Sequence, residues 1–500
     1  MVLGELVVYC LFNFRWVFVV LFLLPLTIMY DIITSVQRLL GSFSTKEKSE
    51  SHFEKAKFVQ DQVKQWKKSG QKMPMCTGRP GWKAMTLREP QYKKTMYNIH
   101  IDMDEIIEIN IDKMVVKVEP LVTMGQLTSK LKPLNLTLPL VVELDDLTVG
   151  GLIMGTGIES SSHAVGLFQH NCISYELVLA DGSLVTCSKK EDPDLFYSIP
   201  WSYGTLGFLT AVELKIVPAK RYVELTYEPF YSLEEGVQLF EAHSKDTVNN
   251  QFVEGIMFSQ TEGVIMTGKM VDTTTCYVNV ISRWYKSWFY EHVRSFVGKG
   301  KTTEAIPLRD YYHRHTKSLF WELKDIVPFG NNLLFRWLFG WSMPPKISFL
   351  KKTQTKAIKE LYDKHHVVQD LIVPIKFMKE AILFFEKEIN VYPVWLCPAL
   401  LPSEPGLVHS FSDKSELYID IGLYGTPNTT KYDSVITTKK VEHYTIQCKG
   451  YQMMYAGTYL SESEFQEMFD HSLYNRVRDR LQCQNAFPNV YGKVNRKVRD

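Results

Sequence analysis

The 500-residue chain has no excess of charge of either sign: 57 basic side chains stand against 55 acidic ones, for a net +2. A nucleic-acid-binding chain would show a clustered basic surplus, so no nucleic-acid partner is expected. Low-complexity tracts and internal repeats are missing, and 13% of the residues are aromatic, which excludes a disordered chain. Cysteine is sparse, with eight residues and no C-x-x-C pair. That argues against a disulfide scaffold, a zinc ribbon and a thioredoxin-type dithiol. What remains is a reduced, cytosol-facing enzyme or binding protein with room for two or three domains at about 100–200 residues each.

Long apolar runs are scarce too, except at the N-terminus. Trp16–Tyr30 (WVFVVLFLLPLTIMY) holds no charge, and Leu6–Phe14 before it is also apolar. A bilayer span needs about 20 residues. Trp16–Val36 meets that length if Asp31 sits near the far interface. A membrane anchor, a cleaved signal and a buried helix compete for this segment. No small-residue cleavage site follows it. Arg38, Lys46, Lys48, Lys55 and Lys57 lie beyond the run against Arg15 before it, which places the large C-terminal part in the cytosol.

Gly41–Lys57 is polar and reads as a linker, and Phe58, Gln62, Val63 and Trp66 follow helical spacing before Gly70. Short strands follow at Met114–Val118, at Tyr175–Leu179 with an Asp181-Gly182 turn and a returning strand, and at Leu209–Val217. Pro218–Arg221 marks a domain boundary. Beyond it, strands are expected at Val223–Tyr227, Phe252–Ser259 and Leu417–Leu423, with a helix over Lys352–Lys364.

The densest chemistry lies in Thr148–Ser160 (TVGGLIMGTGIES), with glycines at 150, 151, 155 and 157 and hydroxyls at Ser160, Ser161 and Ser162. Glycine permits positive φ and close backbone approach, which lets peptide N–H groups surround a phosphate. Tight turns alone would account for the same composition. The spacing is not G-x-G-x-x-G and no Lys-Ser/Thr ending follows, so neither a Rossmann site nor a P-loop fits. Two further glycine turns accompany this segment: Thr77-Gly78-Arg79-Pro80-Gly81 upstream and Trp201–Gly207 (WSYGTLG) downstream.

In this order the first loop, Glu119–Leu127 (EPLVTMGQL), Thr148–Gly151, Glu176–Gly182 and Gly204–Gly207 resemble the vanillyl-alcohol-oxidase, or PCMH-type, flavoproteins. Within that superfamily, segments from MCTGRPGW to AFPNVYGKV resemble the delta-24-sterol reductases, and MGTGIESSSH looks more like their animal members than the plant ones. The resemblance implies an α+β chain. An anchor would occupy 1–40 (span about 16–36) and a linker 41–57. A two-part FAD-binding PCMH-type domain would fill 58–219 and an α+β cap 220–450, with a final segment, 451–500, returning to the FAD domain.

The same resemblance implies FAD, held by Thr77, Gly78, Arg79, Pro80 and Gly81; by Thr148, Val149, Gly150, Gly151, Leu152, Ile153, Met154, Gly155, Thr156, Gly157, Ile158, Glu159, Ser160, Ser161 and Ser162; and by Gly204, Thr205, Leu206 and Gly207. Many family members attach FAD through a first-loop histidine; Arg79-Pro80 stand there instead, so non-covalent FAD is expected, with Arg79 on the diphosphate. His163 and His170 follow the second loop and are expected to be ordinary surface or core histidines.

The reaction implied is NADPH-consuming reduction of the side-chain double bond of a delta-24 sterol such as desmosterol. That alkene has no carbonyl to activate it. It needs a proton on the less substituted carbon and a hydride from flavin N5 on the other, in a dry apolar pocket. Glu143, five residues before Thr148, is one candidate donor; a partner for a basic side chain is its alternative use. Tyr312, His313 and His315 in YYHRH are the others, and no metal site is expected. With no second dinucleotide fold visible, NADPH and sterol are expected to visit one flavin in turn.

Trp284–Tyr290 and Phe335–Trp341 form an aromatic belt suited either to a membrane interface or to a core. The expected setting is single-pass in the endoplasmic reticulum membrane, with the Golgi as a second host. The partners expected are the bilayer, the sterol and other sterol-biosynthesis enzymes. A flavin oxidase or dehydrogenase of a small hydroxylated substrate, and a non-catalytic sterol-binding module, are the competing readings.

Overall fold

A computed structural model describes residues 14–41, 48–84, 91–352, 356–429 and 431–496. Parts of the apolar stretch before Arg15, of the 41–57 segment, of the helix expected over Lys352–Lys364 and of the final residues lie outside them.

The N-terminal helix runs from Arg15 through a π-helical turn, Val19–Leu23, into Leu24–Gly41. Arg15–Thr34 is long and apolar enough to cross a membrane, with a mean hydropathy of 2.3 and 22% of it buried. The next helix, Lys48–Lys68, begins ten residues before Phe58, so its first half replaces part of the expected linker. Its buried stripe is His52, Ala56, Val59, Val63 and Trp66, while Phe58 points to solvent. The expected stripe holds at Val63 and Trp66, while Val59 takes the inward place expected of Phe58. The reason is polar: His52 sits between Glu119 Oε1 (3.0 Å) and Glu176 Oε1 (2.9 Å), and this fixes the face turned to the sheet.

Two antiparallel sheets organise the rest. The first has five strands in the order Ile106–Asn110, Val115–Val118, Phe208–Lys215, Cys172–Val178 and Leu184–Ser188. Its last hairpin turns at Asp181-Gly182, where Gly182 takes φ +87° and Asp181 Oδ1 accepts from the Ser183 N–H at 2.8 Å. A Thr123–Gln126 capping box starts the helix Met124–Leu131 beside this sheet.

The second sheet has eight strands in the order Thr302–Pro307, Tyr222–Phe230, Gly263–Val271, Phe252–Met257, Val394–Leu401, Glu416–Gly425, Val367–Pro374 and Tyr451–Gln452. Strand alternation gives it two different faces. Val253, Ile265, Leu371, Leu396 and Ile421 point outward into a core covered by the helices Leu233–Lys245, Met378–Glu388 and Ser434–Gln447. The inner face turns toward the first sheet and carries Glu254, Asp370, Trp395, Asp420 and Tyr424.

The helix Ser472–Arg480 and the residues after it pack back on the first half. Arg478 donates to the Thr205 carbonyl at 2.7 Å, Met75 N–H donates to the Ala486 carbonyl at 2.7 Å, and Lys493 Nζ reaches the Tyr203 carbonyl.

Candidate active site

Between the two halves lies a cavity of about 410 Å³. One wall is the glycine segment. Thr148, Gly151, Leu152, Gly155, Thr156, Gly157 and Ile158 line it, joined by Arg79 and Tyr203. The backbone runs close here because side chains are absent: a Cβ on Gly155 would lie 3.0 Å from the Gly151 carbonyl oxygen, and one on Gly157 would lie 2.9 Å from Phe168. Thr156 Oγ1 is buried without a hydrogen-bond partner, which a polar ligand lying along this wall would supply. Arg79 donates to Thr148 Oγ1 at 3.3 Å and to the Lys83 carbonyl at 2.9 Å, so the first and second loops meet at the cavity.

The other expected loop residues separate into two groups. Thr77 and Gly78 stand behind Arg79: the Thr77 and Arg79 carbonyls accept from Lys93 Nζ at 2.9 and 2.5 Å, and Gly78 N–H donates to the Ile99 carbonyl. Lys93 had no sequence signal pointing to it. Burial pulls its ammonium down to about 8. The Gly81 carbonyl accepts from Lys351, and Pro80 is exposed.

Glu159–Ser162, expected among the cofactor residues, do not line the cavity. Ser160 Oγ donates to Glu159 at 2.6 Å, Ser161 to the Pro139 carbonyl at 3.0 Å, and Ser162 Oγ accepts from Glu159 N–H at 3.0 Å. These hydrogen bonds hold the turn that follows the glycine wall. Val149 and Ile153 are core residues, and Gly150 is there because a Cβ would meet Pro120 at 2.8 Å. Thr205, Leu206 and Gly207 also lie outside the lining; Thr205 is fully buried with its hydroxyl 2.6 Å from Tyr474 Oη.

Glu143 lines the cavity. Burial, reinforced by the Glu159 charge, pushes its carboxyl up to about 8, so it is a neutral acid at neutral pH. It is not a partner for a surface base. Cap residues hold its backbone: His313 Nδ1 and Thr316 Oγ1 both donate to the Glu143 carbonyl, at 3.1 and 3.0 Å.

Tyr312, His313 and His315, the other expected donors, are not among the residues that line the cavity. Tyr312 Oη accepts from Thr137 Oγ1 at 3.1 Å. His313 is fastened by Glu143 and by Thr128 Oγ1 at 2.8 Å. His315 stacks on Phe320 and meets Glu254 Oε2 at 3.2 Å. Between them Arg314 forms the joint of the molecule: its guanidinium donates to Glu159 Oε1 at 2.7 Å and to both Glu254 oxygens at 2.6 and 2.8 Å, all out of solvent. Burial opposes the charges, but Arg314 and His315 hold the Glu254 carboxylate well below its ordinary value. Among the described residues no cluster suits a metal ion.

The second wall is the inner face of the eight-stranded sheet, with Val368, Asp370, Trp395, Asp420 and Tyr424. Phe320 packs between Trp395 and Tyr424, at centroid distances of 5.1 and 5.3 Å. Neither aspartate has a sequence signal of its own, since two isolated acids 50 positions apart carry no local pattern.

A third boundary comes from the N-terminus. Arg15 lines the cavity and donates to the Leu350 carbonyl at 3.4 Å. Further along the same helix, Thr27 Oγ1 accepts from the Lys346 N–H at 3.1 Å, and Lys346 Nζ bridges Asp31 (3.3 Å) and Asp146 (3.2 Å). The apolar helix is thus tied to the loop that leads into Thr148. Leu333, Leu334, Trp337, Leu338 and Trp341 nearby are all exposed.

With this geometry established, comparison with known proteins is decisive. The delta(24)-sterol reductase of Homo sapiens is 51% identical over 493 residues, covering 98% of this chain and 95% of that one. The chain belongs to the delta(24)-sterol reductase family. The Caenorhabditis elegans homolog dhcr-24 is 44% identical, covering 98% of this chain and 96% of its own, and the Pisum sativum delta(24)-sterol reductase is 38% identical, covering 96% and 91%. A family model described as an FAD binding domain matches residues 77–188, which include both cavity loops. As a member of this enzyme family the chain therefore carries an FAD-binding domain, and the glycine wall with its orphaned Thr156 hydroxyl fits that cofactor.

Proposed function

We propose that the protein reduces the side-chain double bond of a delta-24 sterol, desmosterol being the probe substrate, with NADPH as the electron donor. The observation that carries the reading is the cavity itself: a glycine wall suited to FAD faces an aromatic wall, with neutral carboxylic acid in the lining. Bound FAD supplies the hydride.

The chain's own residues do the rest. Leu144, Leu147, Ile326, Ile347, Leu350 and Met453 exclude water and suit a hydrocarbon substrate. The rings of Phe320, Trp395 and Tyr424 offer π faces to positive charge developing on the more substituted carbon. A neutral acid on the lining must provide the proton, and Glu143 is the candidate on the FAD half. Arg79 offers its guanidinium to the diphosphate. No histidine or cysteine is among the described lining residues, which supports non-covalent attachment of FAD.

The N-terminal helix anchors the protein in the endoplasmic reticulum membrane with the catalytic part cytosolic. The exposed Leu333–Trp341 face lies on the bilayer beside it, where sterol enters. Golgi residence and association with other sterol-biosynthesis enzymes extend the same reading.

The test is anaerobic. NADPH should bleach the flavin absorbance and desmosterol should restore it; peroxide formation without NADPH would indicate an oxidase, and failure to bleach a binding module. Parallel initial-rate lines are expected from alternating use of one site, and intersecting lines would reject it. Trp337→Asp with Trp341→Asp should lower turnover of membrane-borne sterol, and unchanged turnover would remove the docking face from the proposal.

A further inference from the structure

The sheet wall carries an acid pair that the reaction has not yet used. Asp370 and Asp420 stand on the neighbouring strands Val367–Pro374 and Glu416–Gly425, and both line the cavity. Their neighbours Leu371 and Val373, and Ile419 and Ile421, turn the other way into the helix-covered core. Asp370 lies opposite Gly422 in the register, and the Tyr424 hydroxyl folds back over that glycine to donate to Asp370 Oδ1. A Cβ on Gly422 would lie 2.6 Å from Tyr424 Oη and 2.8 Å from Asp370 Oδ1. The glycine makes the space in which the pair meets.

Asp420 has no such partner. It is 0% exposed, and neither of its carboxyl oxygens has a hydrogen bond. The groups around it are Asp370 and Tyr424 on its own sheet, Cys397 opposite it on Val394–Leu401, and Glu143 from the FAD half. None is cationic, and Arg314, which acts on Glu143, is engaged by Glu159 and Glu254. A buried carboxyl without donors or a counter-charge is held as the neutral acid. Its proton has no acceptor in the protein, so the group able to engage it is whatever occupies the cavity.

We propose that Asp420 is the acid that protonates the sterol side-chain alkene, beside the hydrogen-bonded Asp370 and Tyr424 on the same sheet wall. The assignment rests on the proposed reduction. An alkene held between the two walls receives its hydride from the glycine wall, where the cofactor fits, and its proton from the sheet wall. Glu143 comes from the cofactor's half; Asp420 does not. The π pair takes the proton from the Asp420 carboxyl, forming one C–H bond and leaving a carboxylate. The other carbon takes a hydride from reduced flavin, forming the second C–H bond. The Asp420 carboxylate regains a proton from solvent after product leaves, so the net change is one hydride and one proton added to the alkene.

The experiment uses the full chain with FAD in lipid nanodiscs. Asp420→Asn should retain FAD and be reduced by NADPH at the wild-type rate. Its reoxidation by desmosterol should slow by about 10²–10⁴-fold, the usual contribution of a general acid. Glu143→Gln should slow reoxidation far less. Independently of turnover, the infrared carbonyl band of protonated carboxylic acid in the apoprotein at neutral pH should weaken in Asp420→Asn. Wild-type reoxidation in Asp420→Asn, or an unchanged infrared band, overturns the assignment. A wild-type flavin that desmosterol cannot reoxidise defeats the proposed function instead, while the infrared result still shows whether Asp420 holds a proton.

Discussion

The two walls of the cavity are built on opposite principles. The glycine wall is one continuous stretch, Thr148 to Ile158, in which missing side chains bring the backbone to the ligand. The sheet wall is assembled from strands far apart in sequence, and its chemistry sits on side chains that alternation turns inward. The first can hold a large polar cofactor by main-chain contacts. The second can hold an acid neutral where, as at Asp420, burial removes water and no cation stands among its neighbours. The difference teaches that binding and acid–base work in this molecule are separated by architecture, and each wall can be perturbed without the other.

The strongest perturbation is the joint that holds the walls together. Arg314→Met leaves Glu159 and Glu254 buried without their cation and should cost about 3–5 kcal/mol. Denaturant unfolding measures it, and FAD content should fall along with stability because both walls lose their alignment. On the sheet wall alone, Gly422→Ala displaces the far ends of Tyr424 and Asp370. The loss of stability should be about 1 kcal/mol, within the range of ordinary single substitutions. Reoxidation of the flavin by desmosterol should change its pH profile while FAD content stays at the wild-type level. On the glycine wall alone, Thr156→Val keeps the shape and removes the orphaned hydroxyl. FAD should bind about 1 kcal/mol more weakly, the net value of one hydrogen bond, as read by flavin titration of the apoprotein. An unchanged affinity would mean that the hydroxyl does not face the cofactor.

The smallest expected effect lies outside both walls, at the docking of Lys48–Lys68. Burial opposes charge on His52, but its hydrogen bonds to Glu119 and Glu176 raise its imidazolium from 6.5 to about 9. Its stabilising contribution is complete below pH 6.5 and is lost as pH rises through about 9. Glu176, lowered from 4.5 to about 2 against burial by the same histidine and by Thr210, contributes fully above pH 4.5 and is lost as pH falls through about 2. Thermal melts of the wild type and His52→Gln across that upper range should converge toward pH 9 and diverge toward pH 6.5.

Legibility followed the same division. The glycine loops, the Asp181-Gly182 hairpin and the apolar N-terminal segment could be read because each is a local signal, with a turn, a close approach or a run of apolar residues written in adjacent positions. Glu143 was reachable because it stands a few residues from Thr148. A residue type with two uses carries no local signal for which one it serves. Ser160, Ser161 and Ser162 look like phosphate ligands in a glycine-rich context, yet they cap a turn beside a buried Glu159. Tyr312, His313 and His315 look like acid–base groups, yet they are fastened to Thr137, Thr128 and Glu254.

The order of the loops, the membrane-length helix and the α+β character were already present in the chain, since short-range sterics and hydrophobic periodicity dictate them. Whether a polar side chain meets a ligand or another side chain is a different matter. Asp420 differs from dozens of other acidic residues only in what surrounds it, and that environment comes from Asp370 on one neighbouring strand, Cys397 on the other and Glu143 from the FAD half. Its protonation depends on the local dielectric and the local charges, which exist only once distant strands have been brought into register.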